Sequence, residues 1–262
     1  MLFLTYCALA TVEELFQYKS KGFKLSEFPG YTVDQWGIKA HNRPWIEERG
    51  QFAKGQKIIE VGGGYSLLCK YLNEKYQVEA WIGDDFGITT GTSEIWSRWA
   101  NPYEHAAKNP QIKYVFEPFG NFSDKYPDQH FDRIFSVSTL EHIPSEHRLT
   151  VFKDMHRCLK TGGMELHTID ISNVGPEKII MSSIVERIPI LNKRCCSEIQ
   201  YWIEIIKDSG VKIVTKIPSS FQILDRRILV ESPDVVYRFY PPNEAPKPYS
   251  PNVSLLFVIE DK

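Results

Sequence analysis

Three consecutive glycines, Gly62, Gly63 and Gly64, follow an acid-tipped apolar run in "KIIEVGGGYSLLCKYL", residues 57–72. A backbone without side chains can pass close to a ligand and take positive φ. Glu60 stands two residues before the first glycine. The dinucleotide pattern GxGxxG needs a third glycine where Leu67 stands, and the Gly-Lys-Ser/Thr ending of a P-loop is absent. Further along, "IGDD" ends in Asp84 and Asp85. A carboxylate accepts two hydrogen bonds at once, and an aspartate at this place also suits a helix N-cap. Gly120-Asn121 offers an uncharged amide acceptor or a plain turn. Glu141 and His142 in "STLEHIP" can move a proton near neutral pH, although His142 also suits a structural turn. His167 and Asp170 are further titratable candidates, and a strand-end histidine also reads as a satisfied interior group.

These residues need elements to position them. "KIIEV", "QVEAWIGDD", "IKYVFEP", "FDRIFSVS", "MELHTIDI", "VKIVTKI" and "VSLLFVIE" read as seven strands. Between them lie helical patterns. Leu67, Leu68, Tyr71 and Leu72 share one face, as do Leu149, Phe152, Met155 and Leu159. The second of these helices is expected to stop at Gly162-Gly163, and "SEIQYWIEIIKDSG" at Gly210. "GTSEIWSRWANPYEHAAKN" reads as helix with a proline break. Strand and helix in alternation predict an α/β fold: a doubly wound, Rossmann-like, seven-stranded and mostly parallel sheet with helices on both faces. Residues 1–50 are expected to form an N-terminal helical cap segment outside the sheet, with "MLFLTYCALA" opening an amphipathic helix. Residues 51–262 then form the main domain, with insertions at 172–196 and 218–251. The apolar run in 172–196 is expected to pack with residues 1–50 over the strand ends and enclose an acceptor pocket.

The chain has 262 residues and a net charge of −2, so its composition points to no nucleic-acid partner. No run reaches membrane-spanning length. The five cysteines follow no metal or disulfide spacing; Cys69 and Cys158 read as small core residues, and a reducing, cytoplasmic location is the natural expectation.

The motifs together resemble the class I S-adenosylmethionine-dependent methyltransferases. "EVGGGYS" is similar to that family's first motif, with Ser66 in place of its third glycine, and "FDRIFSVSTLEHIP" with "LKTGG" resembles its fourth-strand block. Together the motifs cover residues 57–171. The resemblance implies a last strand that runs antiparallel. It also implies S-adenosyl-L-methionine as cofactor, with Glu60, Gly62, Gly63 and Gly64 near its methionine part. Asp84 or Asp85 would hold the ribose, Asp85 by its spacing from Gly83. Gly120 and Asn121 would meet the adenine, and Ser136 and Ser138 would complete the cofactor contacts. Glu141 and His142 are then the catalytic candidates for methyl transfer to oxygen or nitrogen of a small-molecule or glycan-type acceptor. "STLEHI" is similar to a metal-binding block of ubiquinone-pathway O-methyltransferases, but Ser138 replaces its first acid, so no metal is expected. Two other readings stand beside this one: a nicotinamide-dependent oxidoreductase, and a methyltransferase-like binding module without catalysis. Neither the acceptor nor the oligomeric state is legible in the residues.

Overall fold

The computed structural model describes residues 1–23, 26–27, 31–32, 38–172, 198–219, 222, 225–231 and 252–262. The two expected insertions fall largely outside these residues, and so does the expected packing of 172–196 on the N-terminal segment. In chain order the elements are β1 (Leu2–Leu9), α1 (Val12–Ser20), β2 (Ser26–Glu27), β3 (Tyr31–Thr32), α2 (Lys39–Gly50) and β4 (Lys57–Val61). Then come α3 (Leu68–Tyr76), β5 (Glu79–Gly83), α4 (Ser93–Ser97), α5 (Pro102–Lys108), β6 (Ile112–Val115) and β7 (Phe131–Val137). A 3-10 turn (Leu140–His142), α6 (Ser145–Cys158), β8 (Leu159–Ser172), α7 (Glu198–Asp208), β9 (Lys212–Ile213) and β10 (Asn252–Asp261) complete the chain.

The main sheet runs β6-β5-β4-β7-β8-β10-β1-β9. Strands β6 through β8 are mutually parallel, and β10 is antiparallel to both of its neighbours. The last strand is therefore antiparallel as expected, but the sheet has eight strands rather than seven. The extra strand is β1, inserted between β10 and β9. The expected helix over the first residues is thus corrected to a strand. A short apolar run fits either state, and here a long edge of β10 is open to pair with it. The helix starts only at Thr11, whose side chain accepts from the Glu14 N–H while Glu14 reaches back to the Thr11 N–H, a reciprocal capping box.

Two other boundaries differ. Helix α6 ends at Cys158, four residues before Gly162, because Leu159 is already extended (φ −73°, ψ 131°). Gly162, at φ 77°, instead sits where β8 bulges against β7 between Phe131 and Arg133. The sixth expected strand survives only as Lys212–Ile213.

Helices cover both faces. On one, Phe152 and Met155 of α6 and Trp202, Ile203 and Ile206 of α7 pack on strand residues such as Ile59, Ile134 and Ile169. On the other, Tyr18 of α1, Trp45 and Ile46 of α2, and Leu68 and Leu72 of α3 pack on Ile58, Phe135 and Leu256. Cys69 and Cys158 are fully buried in these two layers. The carboxyl ends of β4, β5, β7 and β8 meet along one edge, where open α/β sheets hold ligands.

Candidate functional site

The glycine turn forms because the chain must leave β4 and reverse under α3 in six residues. Gly62 and Gly64 take φ 67° and 52°. Gly62 donates its N–H to the Gly83 carbonyl at 2.8 Å, which ties the turn to the end of β5. Its own carbonyl accepts from Thr139 Oγ1 at 3.1 Å, and a Cβ there would overlap the Thr139 side chain. A Cβ on Gly63 would come 3.0 Å from Glu60 Cγ. Glu60 is buried beneath the turn. Burial, and then the Glu60 charge, raises the neighbouring Cys69 thiol well above its ordinary range, so Cys69 is an inert core thiol. Ser66, in place of a third glycine, accepts the Leu68 N–H at 3.1 Å in a hydroxyl turn one residue ahead of Leu67, the cap position of α3.

Asp84 and Asp85 divide their work. Asp84 Oδ1 accepts the Phe86 N–H at 2.6 Å, and its Oδ2 lies 3.5 Å from where a Gly64 Cβ would stand. It is buried, and burial first, then the Asp85 charge, pushes its pKa up to about 6. Asp85 turns away. Its two oxygens accept the Gly87 and Thr89 N–H groups at 3.0 and 2.7 Å. The aspartate that faces the glycine turn is therefore Asp84, and Asp85 closes the following turn.

Gly120, at φ 100°, donates its N–H to Asp154 Oδ2 of α6 at 2.8 Å, and Phe122 donates to the same oxygen at 3.2 Å. The turn is anchored, but the Asn121 side chain is exposed. Ser136 is fully buried and pairs with His167 Nδ1 at 2.8 Å. His167 in turn faces Glu165, which also pairs with His156 Nδ1 at 2.8 Å. The histidines help hold the Glu165 pKa down to about 2 against the effect of burial. Ser136 thus belongs to a core network rather than to the turn. Ser136→Ala is expected to cost about 1 kcal/mol in denaturant melts and to leave cofactor affinity unchanged. A tenfold loss of affinity in calorimetry would return Ser136 to the site.

At the ends of β7 and β8 a second polar cluster forms. Ser138, at φ 49°, donates to Asp170 Oδ1 at 2.7 Å. Lys39, at the start of α2, donates to Asp170 Oδ2 at 2.9 Å. Asn42 Nδ2 donates to Ser254 Oγ at 2.9 Å, and Ser254 Oγ lies 3.5 Å from Asp170 Oδ1, the oxygen that Ser138 meets. Glu141 Oε1 accepts the Asp170 N–H at 3.2 Å, while its buried Oε2 has no hydrogen-bond partner among the described residues. Burial, and then the Asp170 charge, raises the Glu141 pKa well above the carboxylate range. His142 is 78% exposed, with its Nε2 4.0 Å from Glu141 Oε1. Thr139 links this cluster to the carbonyl of Gly62, so the two clusters share one wall. The sequence pointed to Ser138, Glu141, His142 and Asp170. It gave no signal for Lys39, Asn42 and Ser254, which reach the cluster only through the fold.

Near this cluster, the Glu231 carboxyl is raised to about 7, by burial first and the Asp170 charge second. A carboxyl raised on folding binds its proton more tightly in the folded chain. Its stabilisation is complete below its ordinary value and is lost as pH climbs through the raised one. Stability is therefore expected to fall between about pH 4.5 and 7, and Glu231→Gln to flatten that slope in denaturant melts. An unchanged slope would discard Glu231 as its source.

Among the described residues, no group of three or more His, Cys, Asp or Glu is placed to hold a metal ion, and no helix is long and apolar enough to cross a membrane. The chain is similar to phosphoethanolamine N-methyltransferase of Plasmodium falciparum, 27% identical over 156 residues, which cover 58% of this chain and 53% of that protein. It is also similar to (S)-tetrahydroprotoberberine N-methyltransferase of Eschscholzia californica, 29% identical over 43% of this chain and 29% of that one. The chain thus spans about half the length, or less, of these curated relatives. Among solved structures, Haemonchus contortus phosphoethanolamine N-methyltransferase 2, in complex with phosphomonomethylethanolamine and S-adenosylhomocysteine, aligns at 14% identity. The alignment covers 84% of this chain and 52% of that one, with a TM-score of 0.44. The model of the family described as mycolic acid cyclopropane synthetase matches residues 40–188, more than half of the chain. With its glycine turn, its acid at the end of β5 and its antiparallel last strand, this chain belongs to that family, within the class I S-adenosylmethionine-dependent methyltransferases.

Proposed function

We propose that this chain transfers the methyl group of S-adenosylmethionine to the nitrogen of a small amine acceptor. The observation that carries this reading is the Glu141–Asp170–Lys39 cluster at the ends of β7 and β8, joined through Thr139 to the glycine turn. Glu141 and Asp170 face one lysine, and burial, then the Asp170 charge, raise the Glu141 pKa well above the carboxylate range. Such a site gains from a bound cation, and an ammonium group supplies one. Two curated relatives are N-methyltransferases, which supports nitrogen over oxygen.

In this reading the backbone of Gly62, Gly63 and Gly64 lies against the cofactor. Glu60 supports the turn from beneath, and Asp84 accepts the ribose hydroxyls. Bound there, the cofactor supplies an electrophilic methyl group. Transfer is an in-line displacement: the amine lone pair forms the new C–N bond as the C–S bond breaks and sulfur keeps the electrons. The residues speed it mainly by holding donor and acceptor aligned. An ammonium acceptor must first lose a proton, and Glu141, with His142 beside it, is placed to take it.

The test is mass spectrometry of methylated products from a panel of primary amines, phosphate-bearing amines, phenols, sugars and unsaturated acyl chains. Methylation of amines alone is expected. Transfer only to oxygen or to carbon, or no binding of S-adenosylmethionine in calorimetry, overturns the proposal.

A further inference from the structure

One aromatic side chain near the glycine turn has no place in the roles assigned above. Trp96 lies on α4, a helix with no buried residue, in the connection that follows Asp85. Its indole nonetheless runs between two glycine backbones. A Cβ on Gly64 would stand 3.1 and 3.4 Å from Trp96 Cζ3 and Cη2, and 3.5 Å from Asp84 Oδ2. A Cβ on Gly87 would stand 2.7 Å from Trp96 Cδ1. The benzo edge of the indole and the Asp84 carboxylate thus border the same bare stretch of the glycine turn.

The surroundings keep the ring there. Tyr65 and Phe86, both buried, flank it at centroid distances of 6.1 and 6.4 Å. The Tyr65 hydroxyl donates to the carbonyls of Trp96 and Ala100. Upstream, Asp85 fixes Gly87 and Thr89, and the Thr92 N–H closes the turn on the Gly87 carbonyl at 2.8 Å. Gly87 and Gly91 both take positive φ, 78° and 69°, on either side of this turn. Yet Ile88 and Ile95 on the same segment are 70% and 51% exposed. A segment fixed at its base and little buried along its length is positioned by a limited set of contacts, those of Trp96 and Tyr65 among them.

We propose that Trp96 is a cofactor-binding residue, carried on α4, which packs against the ribose that Asp84 holds and slows release of the cofactor. This rests on the reading of Asp84 as the ribose carboxylate. An indole offers a large, rigid, apolar face to a sugar edge at low entropic cost. Asp85 then acts as a positioning residue, setting the turn that delivers α4.

The experiment compares wild type, Trp96→Phe and Trp96→Ala. Affinity for S-adenosylmethionine and S-adenosylhomocysteine is measured by calorimetry, and dissociation by stopped flow. Trp96→Ala is expected to weaken both ligands roughly ten- to a hundredfold, mostly through faster dissociation, with Trp96→Phe in between. A second measurement does not depend on the substitution. Arg98, exposed on the same segment, is a tryptic site, and S-adenosylhomocysteine is expected to slow cleavage there in the wild-type chain. Wild-type affinity and dissociation in Trp96→Ala, or cleavage at Arg98 unchanged by ligand, overturns the role of Trp96. If the wild-type chain binds neither ligand, the proposed function fails first, and the two failures are told apart.

Discussion

Asp84→Ala is expected to weaken S-adenosylmethionine binding about ten- to a hundredfold, and Asp85→Ala by no more than a few-fold. The spacing from Gly83 favours Asp85 for the ribose. The geometry gives Asp85 other work, because both of its oxygens already accept backbone N–H groups. Asp84 meets the Phe86 N–H with one oxygen and the Gly64 backbone with the other, so it is the carboxylate that borders the glycine turn itself. Its pKa, pushed up to about 6, adds a second test. Only the ionised carboxylate accepts from two hydroxyls without offering a proton, so affinity should decline as pH falls below 6. Asp84→Asn should bind weakly at every pH. Calorimetry at pH 8 and pH 5.5 reads both effects. A larger loss in Asp85→Ala, or a flat pH profile in the wild type, would reverse the assignment.

Much of this was legible because it is local. The apolar runs of β4, β7 and β10 and the glycine turn announce themselves within a few residues. Where a feature depends on a distant partner, the residues alone mislead. Leu2–Leu9 reads as a helix until β10 is there to pair with it. Lys39 reaches Asp170 across 131 residues, and Asn42 reaches Ser254 across 212, so no window of sequence shows the second cluster. Ser136 lies on β7 within the block the motif covers, and its side chain turns into the core and meets His167. Asp84 and Asp85 differ by one position, and only the direction each takes after the strand ends tells them apart. Asn121 sits in the turn after β6 with its side chain exposed, while the backbone of Gly120 is held by Asp154.

The largest effect is expected from the second cluster. Asp170→Ala removes the acceptor for Lys39 and Ser138 together, and Lys39 is only 15% exposed. Stranding a mostly buried ammonium costs about 3–5 kcal/mol, so lower stability alone would not prove a catalytic role. The double variant Lys39→Met, Asp170→Ala removes the stranded charge and should recover much of that stability. Its kcat/KM is nevertheless expected to remain well below wild type, because Lys39 and Asp170 together fix the wall against which Glu141 and the acceptor are aligned. Glu141→Gln separates proton removal from charge pairing. Ionised Glu141 can accept a proton and protonated Glu141 cannot, so the wild-type rate should rise as pH climbs through its raised pKa. Glu141→Gln should lose that rise and keep the fold. His142→Ala should retain it if His142 only relays protons to solvent, as its exposure suggests. If instead the rise disappears in His142→Ala and survives in Glu141→Gln, the base is His142, and Glu141 serves to hold the Asp170 backbone in place.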